Sequence, residues 1–303
     1  MSCVQTINRH HYHPIPTQSQ ALTTHANGRR RVMLSRDDPE SVAVVVDRME
    51  TEGVMFVRGK AAKVVPGALG SFTLTLEDGQ EIAGTRLLLA TGRKARVEGY
   101  GLEEIGVELG RNGIAVDERR RTSCKHIYAI GDCREGPRLT HVSGYEGSNV
   151  ALEITLGLPT KVDWSALPWC TYTDPEVAQI GMTEAQAREK LGDKVTVVRE
   201  GFDDNERAIA EDDTRGHLKV VMDGKKVLGA SIVGRNAGEM LLPFSQLITG
   251  KASTFALGSA IVAYPTRSEI TKAAAFSAWE GTVFGSVPKG YAKSRAWLRK
   301  ITR

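Results

Sequence analysis

Two short apolar runs end on glycine, and they constrain the fold more than any other feature of this chain. Leu87-Leu88-Leu89-Ala90 stops at Thr91-Gly92, and Ile127-Tyr128-Ala129-Ile130 stops at Gly131-Asp132. A continuous apolar run of strand length fits a strand buried on both faces of a parallel or mixed sheet. Glycine at its end permits close backbone approach, and a carboxylate there lies where open α/β sheets hold ligands. The pattern predicts strands over 86–90 and 127–130.

The flanking sequence supplies further elements. Asp38 is placed to cap a helix with Pro39 at its first position and Glu40 in its first turn. Val42, Val45, Val46 and Met49 follow at helical spacing, and Gly53 ends the helix. Residues 54–57, 61–65 and 72–76 read as strands, with a tight turn at Asp78-Gly79. From about Trp164 the strands acquire a polar face. Thr183-Glu184-Ala185-Gln186 is a capping-box pattern for a helix reaching Leu191. Residues 217–222 and 227–233 alternate around Asp223-Gly224 as an antiparallel hairpin, and 237–249 and 268–280 read as helices packed on that sheet. The second half is thus α+β and separate from the first.

With 303 residues, of which 41% are hydrophobic and 25% charged, the chain has room for about two ordinary domains. A formal net charge of +4 does not suggest a chain-wide basic surface for nucleic acid. No apolar run approaches the length of a spanning helix, and no secretory signal is seen, so a cytoplasmic location is expected. The four cysteines, Cys3, Cys124, Cys133 and Cys170, form no C-x-x-C or C-x-x-x-x-C pair, and no metal site is expected.

Residues 1–36 contain no acid, and His10, His11, His13 and His25 lie among Tyr12, Pro14 and Pro16, which break up regular structure. A disordered leader over 1–32 is the favoured reading, with an organelle transit peptide as the alternative. Residues 285–303 form a basic tail carrying Lys289, Lys293, Arg295, Arg299, Lys300 and Arg303 beside Tyr291, Trp297 and Leu298. The expectation for it is a solvated terminal helix rather than a membrane attachment.

In their order and spacing, Ala90-Thr91-Gly92-Arg93 and Ala129-Ile130-Gly131-Asp132, with Thr122 before the latter, resemble motifs of the pyridine nucleotide–disulfide oxidoreductases. The resemblance covers about 33–284 and includes the dihydrolipoamide dehydrogenase and mercuric reductase branches. It continues through Tyr172-Thr173-Asp174-Pro175-Glu176, Gly181-Met182-Thr183-Glu184, Gly216-His217-Leu218-Lys219 and 228–234, which match the family's dimerisation domain. It implies that Asp132 binds the ribityl chain of FAD, that Gly131 lets the backbone lie close to the cofactor, and that backbone N–H groups near Thr140 and His141 approach the flavin's pyrimidine end. Ala90, Thr91 and Gly92 mark the return from the nicotinamide domain to the flavin domain. NAD(P)H would be the reductant, and a homodimer would form through 163–284.

Where many members carry a catalytic His-Pro-Thr and a partner Glu, this chain has Tyr264-Pro265-Thr266 and Glu269. The tyrosine resembles the mercuric-reductase branch, but a phenol with a pKa of about 10 is a poor base at neutral pH. Glu269 also completes a capping-box pattern from Thr266.

No G-x-G-x-x-G fingerprint occurs, and no redox cysteine pair. The expected architecture is therefore an incomplete Rossmann-like FAD/NAD(P)-binding region, α/β, followed by an α+β dimerisation domain. Its parts are a leader at 1–32, an incomplete NAD(P)-binding domain at 33–88, a closing segment of an FAD domain at 89–162, a dimerisation domain at 163–284 and the tail at 285–303. Two functions follow from it. One is a portion of a flavoprotein reductase, mercuric reductase-like, active when a separate N-terminal chain supplies the remainder. The other is an inactive dimerising or interaction fragment.

Overall fold

The computed structural model describes Leu22–Thr24, 34–90 and 92–301, with the side chains of 34–90 and 92–297. In chain order the elements are β1 (Leu22–Thr24), α1 (Pro39–Thr51), β2 (Met55–Val57), β3 (Ala61–Pro66), β4 (Phe72–Leu76), β5 (Glu81–Gly84), β6 (Leu109–Gly110), β7 (Gly113–Ile114) and α2 (Thr140–Leu156). They continue as β8 (Pro168–Thr171), β9 (Glu176–Gly181), α3 (Glu184–Leu191), β10 (Val195–Gly201), α4 (Glu206–Ala210), β11 (His217–Asp223) and β12 (Lys226–Gly234). Helices α5 (Leu242–Ile248), α6 (Thr254–Gly258), α7 (Glu269–Ser277), α8 (Glu280–Val283) and α9 (Ser286–Ile301) complete the chain. Two compact units result, one over 92–164 and one containing 34–90 with 165–301.

The larger unit is organised by a five-stranded antiparallel sheet in the order β10-β11-β12-β9-β8. Alternate residues of its central strands, among them Ile180, Leu218, Val220 and Ile232, join Phe244, Leu247, Ile270 and Ala274 of α5 and α7 in the main core. The opposite face is covered too. Val45 of α1 packs with Val177 and Val233, and Ala187 of α3 with Val195, Val221 and Leu228. The polar face expected after Trp164 is therefore not solvated: Gln179, Lys219 and Ser231 are all buried. Helix α1, separated from this sheet by more than a hundred residues of sequence, lies on it, so the two halves are not independent as the sequence pattern suggested.

The local signals that were strong are realised. Asp38 caps α1 by accepting the Glu40 N–H at 3.0 Å. Thr183 and Gln186 form the reciprocal capping box of α3. β11 and β12 are the predicted hairpin. A separate small antiparallel sheet, β3-β4-β5, buries Leu74, Leu76 and Ile82 but leaves β3 exposed throughout.

Several expectations need correction. Residues 86–90 form no strand, and Leu88 and Leu89 are 61% and 73% exposed. A run of leucines becomes a buried strand only when neighbouring strands pair with it, and none does among the described residues. Residues 127–130 likewise form no strand, only a single antiparallel bridge between Arg121 and Tyr128. Leu22–Thr24, inside the expected leader, pairs in parallel with Met55–Val57. The remainder of 1–32 lies outside the described residues, His10, His11, His13 and His25 among them. The helix expected over 237–249 divides into a short 3₁₀ turn, Ala237–Met240, and α5.

Candidate functional site

The residues with the most distinctive local chemistry lie in the 92–164 unit, around the turn Gly131–Cys133. Its apolar core is small, with Val107, Ile114 and Ala129 at the centre. Gly131 is buried with φ +69°, and a Cβ there would meet Ser143 Oγ of α2 at 2.6 Å. Glycine is thus required both by backbone conformation and by the close approach of α2.

The Gly131 N–H donates to Glu146 Oε2 at 2.7 Å, and Glu146 is fully buried. Its other oxygen accepts from Arg120 Nη1 at 3.1 Å and faces Arg134 Nη2 at 2.6 Å. Trp164 lies against both guanidiniums, at 5.7 Å from Arg120 and 5.4 Å from Arg134. Two buried cations thus surround one buried carboxylate, and the Nε of each guanidinium finds no hydrogen-bond partner. Burial lowers the Arg120 pKa, partly opposed by Glu146, with Arg134 lowering it further. A second carboxylate of α2, Glu153, accepts from Arg119 Nε at 2.8 Å and from the Tyr128 hydroxyl at 3.1 Å, which hold it below the ordinary carboxylate range.

Asp132 differs from these buried acids. Its side chain is 49% exposed, and its nearest cation is Arg93, at 3.5 Å. Arg93 follows Gly92, so the structure brings the Gly92 segment beside Asp132. Thr140 and His141 occupy the first turn of α2. Leu139, at the N-cap of this 17-residue helix, makes no side-chain capping hydrogen bond. Its first N–H groups therefore present a partial positive charge.

A half-exposed carboxylate beside a backbone cleared by glycine suits the hydroxyls of a sugar alcohol, and a helix N-terminus suits an anionic ring edge. The residues present fit the flavin that the sequence resemblance implies. Ala90 is half-buried at the end of the exposed leucine run, and Thr91 lies outside the described residues.

The candidates in the larger unit behave differently. Tyr264 is 66% exposed. The Glu269 carboxylate accepts the Thr266 N–H at 3.0 Å, as half of the capping box predicted there. The reciprocal half is missing, and the Thr266 hydroxyl donates to Ala263 O at 2.8 Å. The cysteines described give no thiol pair, and burial beside Glu176 pushes the Cys170 thiol up to about 12. Among the described residues no His, Cys, Asp and Glu grouping suited to a metal is present.

Sequence reasoning missed Arg120, Arg134 and Glu146. A signal was nonetheless available: Val142, Glu146, Val150 and Glu153 fall on one buried stripe of α2, where two carboxylates replace apolar residues. Such acids need buried cations as partners, and Arg119, Arg120 and Arg121 are close by in sequence.

Comparison with known proteins places both units in one context. Residues 20–147 match the family model described as pyridine nucleotide-disulphide oxidoreductase, and 167–275 match that family's dimerisation domain. The first match begins inside the expected leader, at residue 20, in agreement with β1. The chain is 36% identical over 250 residues to dihydrolipoyl dehydrogenase of Geobacillus stearothermophilus, covering 80% of this chain and 53% of that protein. It is 35% identical over 251 residues to mercuric reductase of Lysinibacillus sphaericus, covering 81% of this chain and 46% of that protein. The chain thus spans about half the length of the curated relatives it matches. Among solved structures, LpdA from Mycobacterium tuberculosis superposes with a TM-score of 0.74 at 25% identity, covering 80% of this chain and 53% of that one. The HOCl-induced flavoprotein disulfide reductase RclA from Escherichia coli shares the fold with a TM-score of 0.77 at 24% identity, over 85% of this chain and 59% of that one.

Proposed function

Because the chain belongs to the pyridine nucleotide-disulphide oxidoreductase family, we propose that residues 92–164 hold the ribityl and pyrimidine end of FAD, in an assembly that oxidises NAD(P)H. In this reading 163–284 form a homodimer, and the dinucleotide fingerprints and redox thiols are supplied from outside these 303 residues. The observation that carries the proposal is the contrast between Glu146, buried and committed to the Gly131 N–H, and Asp132, the next residue along, with an available carboxylate.

Bound flavin would supply two-electron redox chemistry, with NAD(P)H as the reductant. Asp132 would orient the ribityl chain by accepting its hydroxyl hydrogens. The Thr140 and His141 backbone would stabilise negative charge at the pyrimidine end. Glu269 would serve α7 as a cap rather than as an acid–base partner, and Tyr264 would contribute an exposed phenol to the dimer-facing side. Tyr264 agrees with the mercuric-reductase branch, but mercury binding is no part of this proposal, since the chain has no vicinal cysteine pair.

The test is visible absorption of the purified chain with added FAD, followed near roughly 450 nm during NADH and NADPH titration, alone and with polypeptide that carries the fingerprints and the thiol pair. Asp132→Ala should weaken flavin retention by about tenfold, the loss of one or two hydrogen bonds to a charged group. Protein that stays colourless under both conditions while eluting as a dimer would refute flavin chemistry. It would support the second reading, a dimerising interaction protein, which the commitment of Glu269 to the Thr266 N–H favours.

A further inference from the structure

We propose that α9 is a membrane-surface helix that binds bilayers containing anionic lipid. Every residue from Ser286 to Trp297 is exposed except Pro288, which is half-buried, so neither side of the helix is packed into the protein. Val287, Tyr291 and Trp297 are 80%, 65% and 62% exposed. Phe284, just before the helix, is 56% exposed. At about 3.6 residues per turn, Val287 and Tyr291 fall on one stripe, Lys289 and Lys293 fall on the opposite side, and Trp297 lies between Lys293 and Val287. A helix of this length standing alone in water is marginal, and its stability comes from a partner for its apolar face.

Charge selects the partner. From Gly281 to Arg303 the sequence contains six basic residues, Lys289, Lys293, Arg295, Arg299, Lys300 and Arg303, and no acid. A second copy of the chain, with its net charge of +4, offers no general complement to that excess. Nucleic acid would complement the charge but leave Val287, Tyr291 and Trp297 without an apolar environment. An anionic bilayer surface supplies both: headgroup charge for the lysines and arginines, and an interfacial zone in which tryptophan and tyrosine are favoured. The helix lies on such a surface rather than crossing it, since no described helix is long and apolar enough to span a membrane. The solvated tail expected from sequence becomes a surface anchor because the structure leaves its apolar side wholly unpacked. This inference is independent of flavin binding.

The experiment is co-sedimentation of the full chain with vesicles of phosphatidylcholine alone and of phosphatidylcholine mixed with phosphatidylglycerol. Binding should require phosphatidylglycerol and weaken with added salt. Reversing three charges with Lys289→Glu, Lys293→Glu and Arg295→Glu should reduce partitioning by about a hundredfold or more, at roughly fivefold for each basic residue. Trp297→Ala should abolish the blue shift of tryptophan emission that vesicles induce, and it provides a second variant should the triple one misfold. Equal binding to neutral vesicles, no binding to either, or binding unchanged by both variants would overturn the proposal. So would a change of oligomeric state in the variants with vesicle binding intact, which would identify a second copy as the occupant.

Discussion

The two units each bury a charge cluster, and the clusters have opposite composition. In the larger unit Lys219, almost fully buried, meets Asp38 at 2.9 Å, Glu40 at 2.8 Å and Glu184 at 2.7 Å, while Arg199 pairs with Glu40 and Glu184 from the outside. In the smaller unit it is the carboxylate of Glu146 that is central, between Arg120 and Arg134. Lys219 has each of its donors satisfied, and despite desolvation its pKa is raised by the three carboxylates. The arginines around Glu146 retain unpaired Nε groups and a surplus of positive charge. The first cluster joins α1, α3 and β11 on the face of the sheet opposite the main apolar core, so its role is to fix register between elements. The second lies in a unit with little apolar core and holds the Gly131 turn beside Asp132. Buried charge is thus imperfectly satisfied next to the candidate binding residue and fully satisfied in the Lys219 cluster, although Arg48 Nε and Arg267 Nη1 elsewhere in the larger unit also lack partners.

The sharpest way to break this comparison is to remove the two central charges in turn. Lys219→Ala should destabilise the larger unit by about 3–5 kcal/mol, because it leaves Asp38 buried without its cation. Equilibrium urea unfolding followed by circular dichroism measures it, and a loss below about 1 kcal/mol would show the cluster to be a surface-like pair network. Glu146→Gln keeps an acceptor for the Gly131 N–H but leaves two buried guanidiniums without a counter-charge. The expected cost is about 2–4 kcal/mol, seen as loss of hydrogen-exchange protection in 92–164 while β9, β11 and β12 stay protected. If flavin retention also falls, Glu146 positions Asp132. If only stability falls, the cluster is structural.

What was legible in the sequence follows the same division. The capping box of α3, the Asp38-Pro39 start of α1 and the β11–β12 hairpin are local signals, and each appears where predicted. The leucine run at 87–89 was misleading because strand formation is a property of neighbours rather than of the run itself. The second face of the five-stranded sheet could not be anticipated, since α1 comes from a distant stretch of chain and its Ser41 hydroxyl meets Ser231 at 2.8 Å only in the folded protein. At the candidate site Gly131, Asp132 and the start of α2 were readable as motifs. Their support by Arg120, Arg134 and Glu146 was not recognised, because buried charges on a helix stripe resemble solvated ones when burial is unknown.

The smallest expected effect tests whether the edge of the Lys219 cluster is as well satisfied as its centre. Arg199, and after it Lys219, hold the Glu40 carboxyl down at about 2, against an ordinary value of 4.5. A depressed carboxyl pKa contributes stability that is complete above about 4.5 and is lost as pH falls through about 2. His217, whose Nε2 lies 3.5 Å from Ser41 Oγ, behaves differently: burial lowers its pKa below 6.5, so the unfolded chain takes up its proton first and stability declines from that pH downward. Two separable acid limbs follow. Glu40→Gln should flatten the lower limb by about 1 kcal/mol, a surface-pair magnitude, because 45% of the Glu40 side chain is exposed. His217→Gln should flatten the upper limb and leave the lower one in place. Urea midpoints recorded from neutral pH downward decide the matter. Glu40→Gln acting chiefly above pH 5 would mean that the carboxyl is not held down by Arg199 and that the well-satisfied cluster ends at Asp38 and Lys219.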